Sequence, residues 1–371
     1  MVDNTEKTAW DIVPFTYSEE GFYILDQTRL PGEEIYIKIE TKEDIWEAIY
    51  HLKVRGAPAI GVAAAYGLCM EAQRFEGDSV DEFVDFVQKA AAYIESARPT
   101  AVNLSWALRR LCATLSEATL GKAANGKAAL SEAGVGTPEE GMALLIEEAK
   151  AIHGEDVAAC EAMGRYGLSL LRPGMGILTH CNAGTIATSK YGTCLAPIYL
   201  GQQQGYDFKV FADETRPLLQ GARLTSWELN KAGIDVTLIC DNMAATVMKK
   251  GWIDAVVVGC DRMAANGDGA NKIGTSAVAI LAKEYGIPFY MYVPTSTIDM
   301  NTPCGDDIEI ELRKGEEIYR MWYDKPMAPD GIKTYNPSFD VTDHEYITAV
   351  ITEKGIVRPP YDRNLKLLMT K

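Results

Sequence analysis

Residues 256–276 read VVVGCDRMAANGDGANKIGTS, and this stretch decides the fold class because an unbroken apolar run ends in a polar, glycine-rich loop. Continuous valines are typical of a parallel strand covered on both faces, and open α/β sheets bind ligands beyond the carboxyl ends of such strands. The stretch predicts an active-site loop with Asp261 and Asp268, followed by Asn271 and Lys272. The plainer alternative is a solvated connection of turn-forming residues, which has no need for Asn-Lys ahead of an apolar helix.

The same alternation of apolar runs and helical patterns extends through the carboxy-terminal part of the chain. A long helix is predicted from Pro138 to about Leu171. Strands that alternate with helices predict right-handed crossovers and a parallel, doubly wound, Rossmann-like sheet. A GxGxxG motif does not follow the first strand, so a dinucleotide site is not expected. The predicted strands are residues 176–179, 208–212, 235–239, 255–258 and 288–293.

The amino-terminal part is predicted to be mostly helical, because apolar residues recur at helical spacing from Thr41 to about Leu120. A small β-hairpin is expected over residues 21–39, with Leu30-Pro31-Gly32 as the turn. The low-complexity segment 121–136 reads as a variable loop or the edge of neighbouring helices. We therefore predict an α/β protein with a helical domain over residues 1–136 and a Rossmann-like catalytic domain over residues 137–371.

Composition limits the classes of partner. The chain has 371 residues, 47% of them hydrophobic, and a formal net charge of -16. Nucleic acid and anionic membranes are held by clustered Lys and Arg, so neither is expected as a partner. The sequence has no signal-peptide pattern and no apolar run long enough to span a membrane, so we expect a cytoplasmic protein.

Neither cysteines nor histidines show the spacing of a metal site. The eight cysteines are scattered and are expected to be reduced thiols, and the four histidines form no cluster in the sequence. We therefore predict no metal and no cofactor.

The first predicted strand is followed by THCNAGT, residues 179–185. This motif is expected to open toward a helix, whose amino-terminal amides would favour a thiolate at Cys181. The alternative is that Cys181 is a small buried hydrophobic residue, which is the commoner fate of a free cysteine. The neighbouring Asn182 and Gly184 favour a reactive thiol.

The second strand is followed by residues 212–223, ADETRPLLQGAR, a stretch too charged for a core. A structural salt bridge from Glu214 to Arg216 or Arg223 is the plainer interpretation. Gln220 has the amide groups to bind sugar hydroxyls, although the sequence alone does not place it.

Two arginines precede helices in the amino-terminal part. Arg55-Gly56-Ala57 comes before Pro58 and an alanine-rich helix, and the exposed amides of such a helix start form an anion site. Arg98 precedes another helix. A lone arginine before a helix is usually solvated, but together the two signals indicate phosphate contacts.

Several motifs occur here in the order seen in methylthioribose-1-phosphate isomerases, and the chain resembles that family over nearly its whole length. The resemblance implies interconversion of 5-methylthioribose 1-phosphate and 5-methylthioribulose 1-phosphate in methionine salvage. Similar proteins include ribose-1,5-bisphosphate isomerases and the non-catalytic regulatory subunits of initiation factor 2B, so both remain alternatives. The motifs are RGAPAIG, RPTAVNL, THCNAG, ETRPLLQGARLT and GCDRMAANGDGANKIGT.

The resemblance also implies roles for particular residues. Cys181 and Asp261 correspond to the family's catalytic pair, and Asp241 is the nearest rival carboxylate. The partners implied are a small phosphorylated sugar and, with the apolar carboxy-terminal strands, a second copy of the chain in a homodimer. The substrate-binding residues implied are Arg55, Gly56, Ala57, Arg98, Gln220, Asn271 and Lys272.

The substrate explains the need for a catalytic pair. Phosphate blocks the anomeric oxygen, so the furanose cannot open as a free hemiacetal and an acid must assist the ring oxygen. We expect Asp261 to be this acid, with a pKa raised by apolar neighbours such as Met263, and Cys181 to move a proton between C2 and C1. A hydride shift is the open alternative.

Overall fold

The computed structural model describes residues 12–120 and 134–370. The terminal stretch MVDNTEKTAW and most of the low-complexity segment 121–136 lie outside these ranges. The chain divides into two compact units. The helical unit comprises residues 13–158 and 186–190, and the sheet unit comprises Ile12, residues 159–185 and the chain from residue 191 onward. This division falls at residue 158, inside a long helix, whereas the boundary expected from the sequence was residue 136.

A small antiparallel sheet opens the helical unit. β1 (Phe15–Ser18) pairs with β2 (Gly21–Leu25), which pairs with β3 (Tyr36–Ile39). Gly21 has a φ of 127°, a conformation that residues with a Cβ rarely adopt, so the β1–β2 turn requires glycine there. The hairpin predicted over residues 21–39 is confirmed, and β1 is an additional strand that the sequence pattern did not reveal.

The helical unit is built around one buried helix made largely of small residues. A Cβ added to Gly61 would lie 2.8 Å from the carbonyl oxygen of Asn103, and one added to Gly67 would lie 2.6 Å from the side chain of Ile45. Glycine at these two positions therefore allows neighbouring helices to approach closely. The helices are α1 (Lys42–Tyr50), α2 (Ala57–Ala72), α3 (Val80–Glu95), α4 (Val102–Thr119) and α5 (Pro138–Leu168), of which α2 is the buried one.

The sheet unit contains two sheets. In chain order its strands are β4 (Gly176–Thr179), β5 (Lys209–Asp213), β6 (Asp235–Ile239), β7 (Ala255–Val258), β8 (Arg262–Ala264), β9 (Gly269–Lys272), β10 (Phe289–Tyr292), β11 (Ile298–Asp299), β12 (Phe339–Thr342), β13 (Ala349–Thr352) and β14 (Gly355–Val357). Its helices are α6 (Ala196–Gln203), α7 (Ser226–Lys231), α8 (Ala244–Lys249), α9 (Thr275–Glu284), α10 (Glu316–Tyr319) and α11 (Tyr361–Met369).

The large sheet has the order β14-β13-β10-β7-β4-β5-β6. All its neighbouring strands run parallel except β13 and β14, which form an antiparallel hairpin. Every residue of β4, β7, β10 and β13 is buried, as expected for strands covered on both faces. The predicted Rossmann-like sheet is confirmed, and each of its five predicted strands is present within one residue.

The smaller sheet has the order β11-β8-β9-β12. This sheet carries the chain away from the end of β7 and returns it to α9, so residues 262–272 form β8, a turn and β9. Among the described residues, no helix combines the length and the apolar sequence that a bilayer crossing needs.

Candidate active site

Cys181 and Asp261 follow the two central strands of the large sheet. The chain runs from β4 outward through β5 to β6 and then returns to β7 on the other side of β4. β4 and β7 pair in parallel, with Thr179 opposite Val257, so their carboxyl ends lie side by side. A reversal of strand order between neighbours is where open α/β sheets bind ligands. Both predicted catalytic residues therefore come directly after the strands that flank this crevice.

The backbone of Cys181 is held in an unusual conformation. Its φ is 66°, in the left-handed region that costs a residue with a Cβ about 1–3 kcal/mol. The Cys181 amide donates to Thr215 Oγ1 at 2.8 Å, and its carbonyl oxygen accepts from Thr225 Oγ1 at 2.6 Å. Two hydroxyl groups thus fix both peptide groups of the residue that carries the candidate thiol.

The expected helix start at Cys181 is wrong. Residues 185–187 form only a single 3₁₀ turn, and the next α-helix, α6, begins at Ala196. The reason is Glu228, which is completely buried and accepts from the Asn182 side chain, from the Thr185 amide at 2.7 Å and from the Tyr199 hydroxyl at 2.8 Å. A side-chain carboxylate, rather than a helix, therefore binds the polar groups of this loop.

Glu228 was missed in the sequence because it lies in an ordinary helical pattern. Its carboxylate reaches the loop because Gly184 has no side chain, since an added Cβ there would overlap the Glu228 oxygens. The helical turn before α7, Gly221–Thr225, is π-helical. Such turns are frequent at functional sites.

Most other cysteines are held as thiols. Burial raises the pKa of Cys69 and Cys194 to about 12 and that of Cys112 to about 11. Burial, with the charge of Asp261 as a second cause, also raises the pKa of Cys260. Neighbouring carboxylates raise the pKa of the two cysteines at positions 240 and 304. These six thiols are poorly suited to proton transfer or nucleophilic attack near neutral pH.

The backbone of Asp261 is hydrogen-bonded to β9, the strand that carries two predicted substrate residues. Its amide donates to the Ala270 carbonyl oxygen at 2.9 Å, and its neighbour Arg262 pairs with Ala270 in the β8–β9 ladder. β9 continues through Asn271 and Lys272, both buried. Asn271 donates to Thr275 Oγ1 at 3.0 Å, which orients its side-chain amide.

Lys272 places a buried ammonium group at the end of β9. It is only 9% exposed, and its Nζ lies 4.2 Å from the centre of the Phe339 ring. A cation in this setting raises the electrostatic potential of its surroundings and favours an anionic ligand. Asn271, Lys272 and Asp261 are thus brought together by one short strand.

His180 connects the Cys181 loop to the end of β9. Its Nδ1 lies 3.0 Å from Asp213 Oδ2, and its Nε2 lies 2.8 Å from the Ile273 carbonyl oxygen. Gly274 has a φ of 103°, and a Cβ there would come within 2.8 Å of the His180 ring. The chain after Lys272 therefore packs directly against the residue that precedes Cys181.

The His180–Asp213 pair holds one shared proton. A carbonyl oxygen can only accept, so Nε2 of His180 must carry a proton and donate it to Ile273. The contact of Nδ1 with the Asp213 carboxyl needs a second proton, which either partner can carry. Burial alone would lower the pKa of His180, but the hydrogen bond and charge of Asp213 raise it. Burial also raises the pKa of Asp213, and His180 opposes that shift.

His180 and Asp213 also lie beside Asp241, and the potential metal-ligand atoms of the three side chains are all within 4.8 Å of one another. The spacing of histidines in the sequence did not predict this group. Because one imidazole nitrogen donates to a carbonyl and the other shares a proton with Asp213, protons occupy the positions at which a metal ion would bind.

Asp241, the rival carboxylate, has a structural role. Its two oxygens accept from the amides of Thr215 and Arg216, each at 2.7 Å. Arg216 in turn donates to the carbonyl oxygens of Pro217 and Ile318. The charged stretch after β5 is therefore folded by bonds between side chains and backbone, rather than only by the Glu–Arg pair considered from the sequence.

Asp268 likewise stabilises the fold. It accepts from the Gly305 amide at 3.0 Å and from the His344 amide at 2.9 Å, and it contacts His344 Nδ1 at 2.6 Å. The start of α9 is also occupied, because Asp340 accepts from the Gly274 amide at 2.8 Å and the Ser276 amide at 3.1 Å. An anion of the chain itself therefore binds the amides that follow Asn271-Lys272.

Gln220 is buried immediately before the π-helical turn. Its Oε1 is buried without a hydrogen-bond partner among the described residues. Buried polar atoms are nearly always hydrogen-bonded, so this amide is suited to a ligand that the chain alone does not supply.

The other four predicted substrate residues lie in the helical unit. Arg55, Gly56 and Ala57 lead into α2, and Gly56 has a φ of 96° with no room for a side chain, because an added Cβ would lie 2.6 Å from Ala187. Arg98 precedes α4. Both arginines are half-buried.

Comparison with known proteins gives a family and a set of similar enzymes. Residues 53–359 match the sequence model of the Initiation factor 2 subunit family. The methylthioribose-1-phosphate isomerase of Symbiobacterium thermophilum is 59% identical over 97% of each chain. The 5-deoxyribose 1-phosphate isomerase of Petrotoga mobilis is 54% identical over 96% of this chain and 99% of its own.

A solved structure is also similar over the full length. The crystal structure of 5-methylthioribose 1-phosphate isomerase from Pyrococcus horikoshii OT3 superimposes with a TM-score of 0.87 at 42% sequence identity. The alignment covers 100% of this chain and 99% of the other.

Proposed function

The chain belongs to the Initiation factor 2 subunit family, and we propose that it is an aldose–ketose isomerase acting on 5-methylthioribose 1-phosphate. The product is 5-methylthioribulose 1-phosphate. Near full-length relatives named for this activity support the assignment. The observation that carries it is the position of Cys181 and Asp261 after the two parallel strands at which the strand order reverses.

We propose that Asp261 assists ring opening. When the bond between C1 and the ring oxygen breaks, its electron pair goes to that oxygen, which must gain a proton to become the C4 hydroxyl. A carboxylic acid at the mouth of the sheet can supply this proton. The phosphate remains on C1 throughout. C1 is reduced and C2 is oxidised within one molecule, so the isomerisation needs no external oxidant or reductant.

We propose that Cys181 assists the transfer of hydrogen between C2 and C1. In the proton route, the C2 proton is removed, an enol forms, and C1 gains a proton while the C2 hydroxyl loses one. In the hydride route, hydrogen moves from C2 to C1 with its electron pair, and the C2 hydroxyl loses its proton to give the ketone. Substrate labelled with deuterium at C2 distinguishes them, because only the hydride route must keep the label at C1.

The buried Lys272 and the unsatisfied Gln220 oxygen support a polar, anionic substrate at this edge of the sheet. Lys272 is suited to the phosphate and Gln220 to a sugar hydroxyl. The roles of Asn271, and of Arg55, Gly56, Ala57 and Arg98 in the helical unit, stay predictions from the sequence motifs.

A second candidate substrate is 5-deoxyribose 1-phosphate, after which relatives at 54% identity are named. It differs from 5-methylthioribose 1-phosphate only in lacking the methylthio group at C5, and small apolar differences give discrimination of roughly 10–200-fold. Ribose 1,5-bisphosphate is less well supported, because a second phosphate needs a second cationic cluster. One candidate for it, Arg262, lies near Asp299. Burial raises the pKa of the Asp299 carboxyl, but hydrogen bonds and the charge of Arg262 lower it by more, so the pKa is below its ordinary value.

The direct test is isomerisation by the purified protein. We expect conversion of 5-methylthioribose 1-phosphate to its ketose, followed by phosphorus NMR, with 5-deoxyribose 1-phosphate and ribose 1,5-bisphosphate assayed in parallel. Conversion of the bisphosphate alone would replace the proposed substrate. No conversion of any of the three would favour a non-catalytic subunit.

We also propose a homodimer. β6 is an edge strand of the large sheet, and Leu238 on it is 49% exposed, while Met243 and Trp252 nearby in the chain are 45% and 50% exposed. Exposed apolar side chains at a sheet edge are typical of a surface covered by a partner. Light scattering at micromolar concentration should give twice the single-chain mass of 40.7 kDa, and a mass equal to the single chain would rule this out.

A further inference from the structure

The Cys181 backbone is held between two buried hydroxyl groups, one from the loop after β5 and one from the π-helical turn before α7. Thr215 accepts from the Cys181 amide, and Thr225 donates to the Cys181 carbonyl oxygen. Both threonines are 0% exposed, so water does not compete for these bonds. The left-handed φ of Cys181 is therefore fixed at its amino side and its carbonyl side at the same time.

We propose that Thr215 and Thr225 are positioning residues that aim the Cys181 thiol at the substrate. The proposal rests on the proposed function, in which Cys181 moves hydrogen between C2 and C1. Removing either hydroxyl would allow Cys181 to relax from its left-handed conformation, and the direction of its Cα–Cβ bond would change with φ.

Each hydroxyl is itself fixed. Thr225 Oγ1 also accepts from Asn182 Nδ2 at 3.1 Å, and Asn182 donates to the buried Glu228. Thr215 Oγ1 donates to the Asp213 carbonyl oxygen at 3.1 Å. The two threonines therefore connect Cys181 to α7 on one side and to the end of β5 on the other.

The conformation of Thr215 adds a second constraint. Its own φ is 65°, which is unusual for a β-branched residue. Its amide donates to Asp241. Left-handed residues that contact one another at a strand end persist only where several bonds hold them, as is common at functional sites.

The test compares Thr225→Val, which removes the hydroxyl and keeps the shape, with Thr225→Ser, which keeps the hydroxyl. We expect Thr225→Val to lower kcat roughly 10- to 100-fold with little change in KM, because small displacements of a reacting group have effects of about this size. Thr225→Ser should keep most of the turnover. Thr215→Val and Thr215→Ser repeat the comparison on the amide side, should Thr225→Val not fold.

Thr352→Val is the matched control. Thr352 is also 0% exposed, donates to the Gly355 carbonyl oxygen at 3.0 Å and accepts from the Lys354 amide at 3.1 Å, but it lies in the β13–β14 hairpin. The Thr352→Val variant shows how the loss of a buried hydroxyl far from Cys181 in the sequence affects stability and turnover. We expect this variant to keep kcat even if its melting temperature falls as much as that of Thr225→Val.

A second readout does not depend on the reaction. The alkylation rate of Cys181, followed by peptide mass spectrometry, should change in Thr225→Val and Thr215→Val but not in Thr352→Val. Should the wild-type protein fail to isomerise the substrate, a changed alkylation rate would still support the positioning role while the proposed function failed. The proposal would be overturned if Thr225→Val and Thr215→Val had the same kcat and the same Cys181 alkylation rate as Thr352→Val.

Discussion

Two aspartates follow parallel strands of the same sheet and are held in different ways. Asp241, after β6, uses both carboxylate oxygens to accept backbone amides from the loop after β5. Asp261, after β7, is attached through its own amide to the Ala270 carbonyl oxygen. A carboxylate that accepts backbone amides stabilises a loop, whereas Asp261 follows one of the two strands between which the strand order reverses, where open α/β sheets bind ligands. We therefore assign stability to Asp241 and chemistry to Asp261.

The largest expected effect is that of changing the proposed catalytic pair. Cys181→Ser lacks a readily ionised thiol and Asp261→Asn cannot donate a carboxyl proton, so each should lower kcat about 10²–10⁴-fold. Steady-state kinetics of the single and double variants measure this, with KM changing little. The double variant should lose much less than the product of the single losses, because the two groups act on one reaction. Near-normal kcat with a raised KM would show that either residue only binds substrate.

Asp241→Asn should affect stability instead. An asparagine oxygen can replace only part of the acceptor capacity of the carboxylate, and its NH₂ group would face a backbone amide. We expect the free energy of unfolding to fall by about 1–3 kcal/mol, the usual cost of an unsatisfied buried group. Urea denaturation followed by circular dichroism checks this. Unchanged stability would mean that the two amides find other partners.

The His180–Asp213 pair gives a smaller effect that depends on pH. The folded pKa of His180 is raised above its ordinary value of 6.5, so the folded protein retains a proton that the unfolded chain has released. The stabilisation is complete below pH 6.5 and is lost as the pH rises through the raised pKa. Nearby carboxylates of Asp241 and Asp340 act in the same direction on this imidazole.

Urea denaturation between pH 6 and pH 9, conditions chosen around the ordinary histidine pKa of about 6.5, measures this loss. In Asp213→Asn the imidazole has no carboxylate partner, and the decline of stability with pH should be weaker than in the wild-type protein. An equal or steeper decline in the variant would show that another group is responsible.

The smallest expected effect is that of metal removal. In the group of His180, Asp213 and Asp241, both imidazole nitrogens of His180 are hydrogen-bonded, so neither nitrogen is free to bind a metal ion. Dialysis against a chelator should therefore leave kcat and the melting temperature unchanged. Loss of activity on chelation, with recovery on adding a divalent ion, would contradict this proton assignment.

Much of the fold could be predicted because its signals are local. The valine run of β7 and the alternation of apolar runs with helical patterns located all five predicted strands. The two proposed catalytic residues, Cys181 and Asp261, lie in motifs that directly follow two of those strands. By contrast, β1 has only four residues, one of them fully buried, and too little pattern to be recognised.

The contacts that position Cys181 could not be predicted, because they join distant parts of the chain. Thr215, Thr225 and Glu228 contact the Cys181 loop across 34 to 46 residues of sequence. The same cause explains the wrong expectation of a helix after Cys181. A carboxylate far along the chain satisfies the amides that local sequence alone would place at a helix start.

The most direct test of the central claim is the turnover of Asp261→Asn and Asp241→Asn measured side by side on 5-methylthioribose 1-phosphate. Both variants make the same chemical change after a parallel strand of the same sheet, so the comparison isolates the effect of position. We predict that Asp261→Asn loses about 10²-fold or more in kcat, while folded Asp241→Asn loses much less, because Asp241 reaches Cys181 indirectly, through the backbone of Thr215. The reverse result, with Asp241→Asn inactive and Asp261→Asn active, would contradict the account.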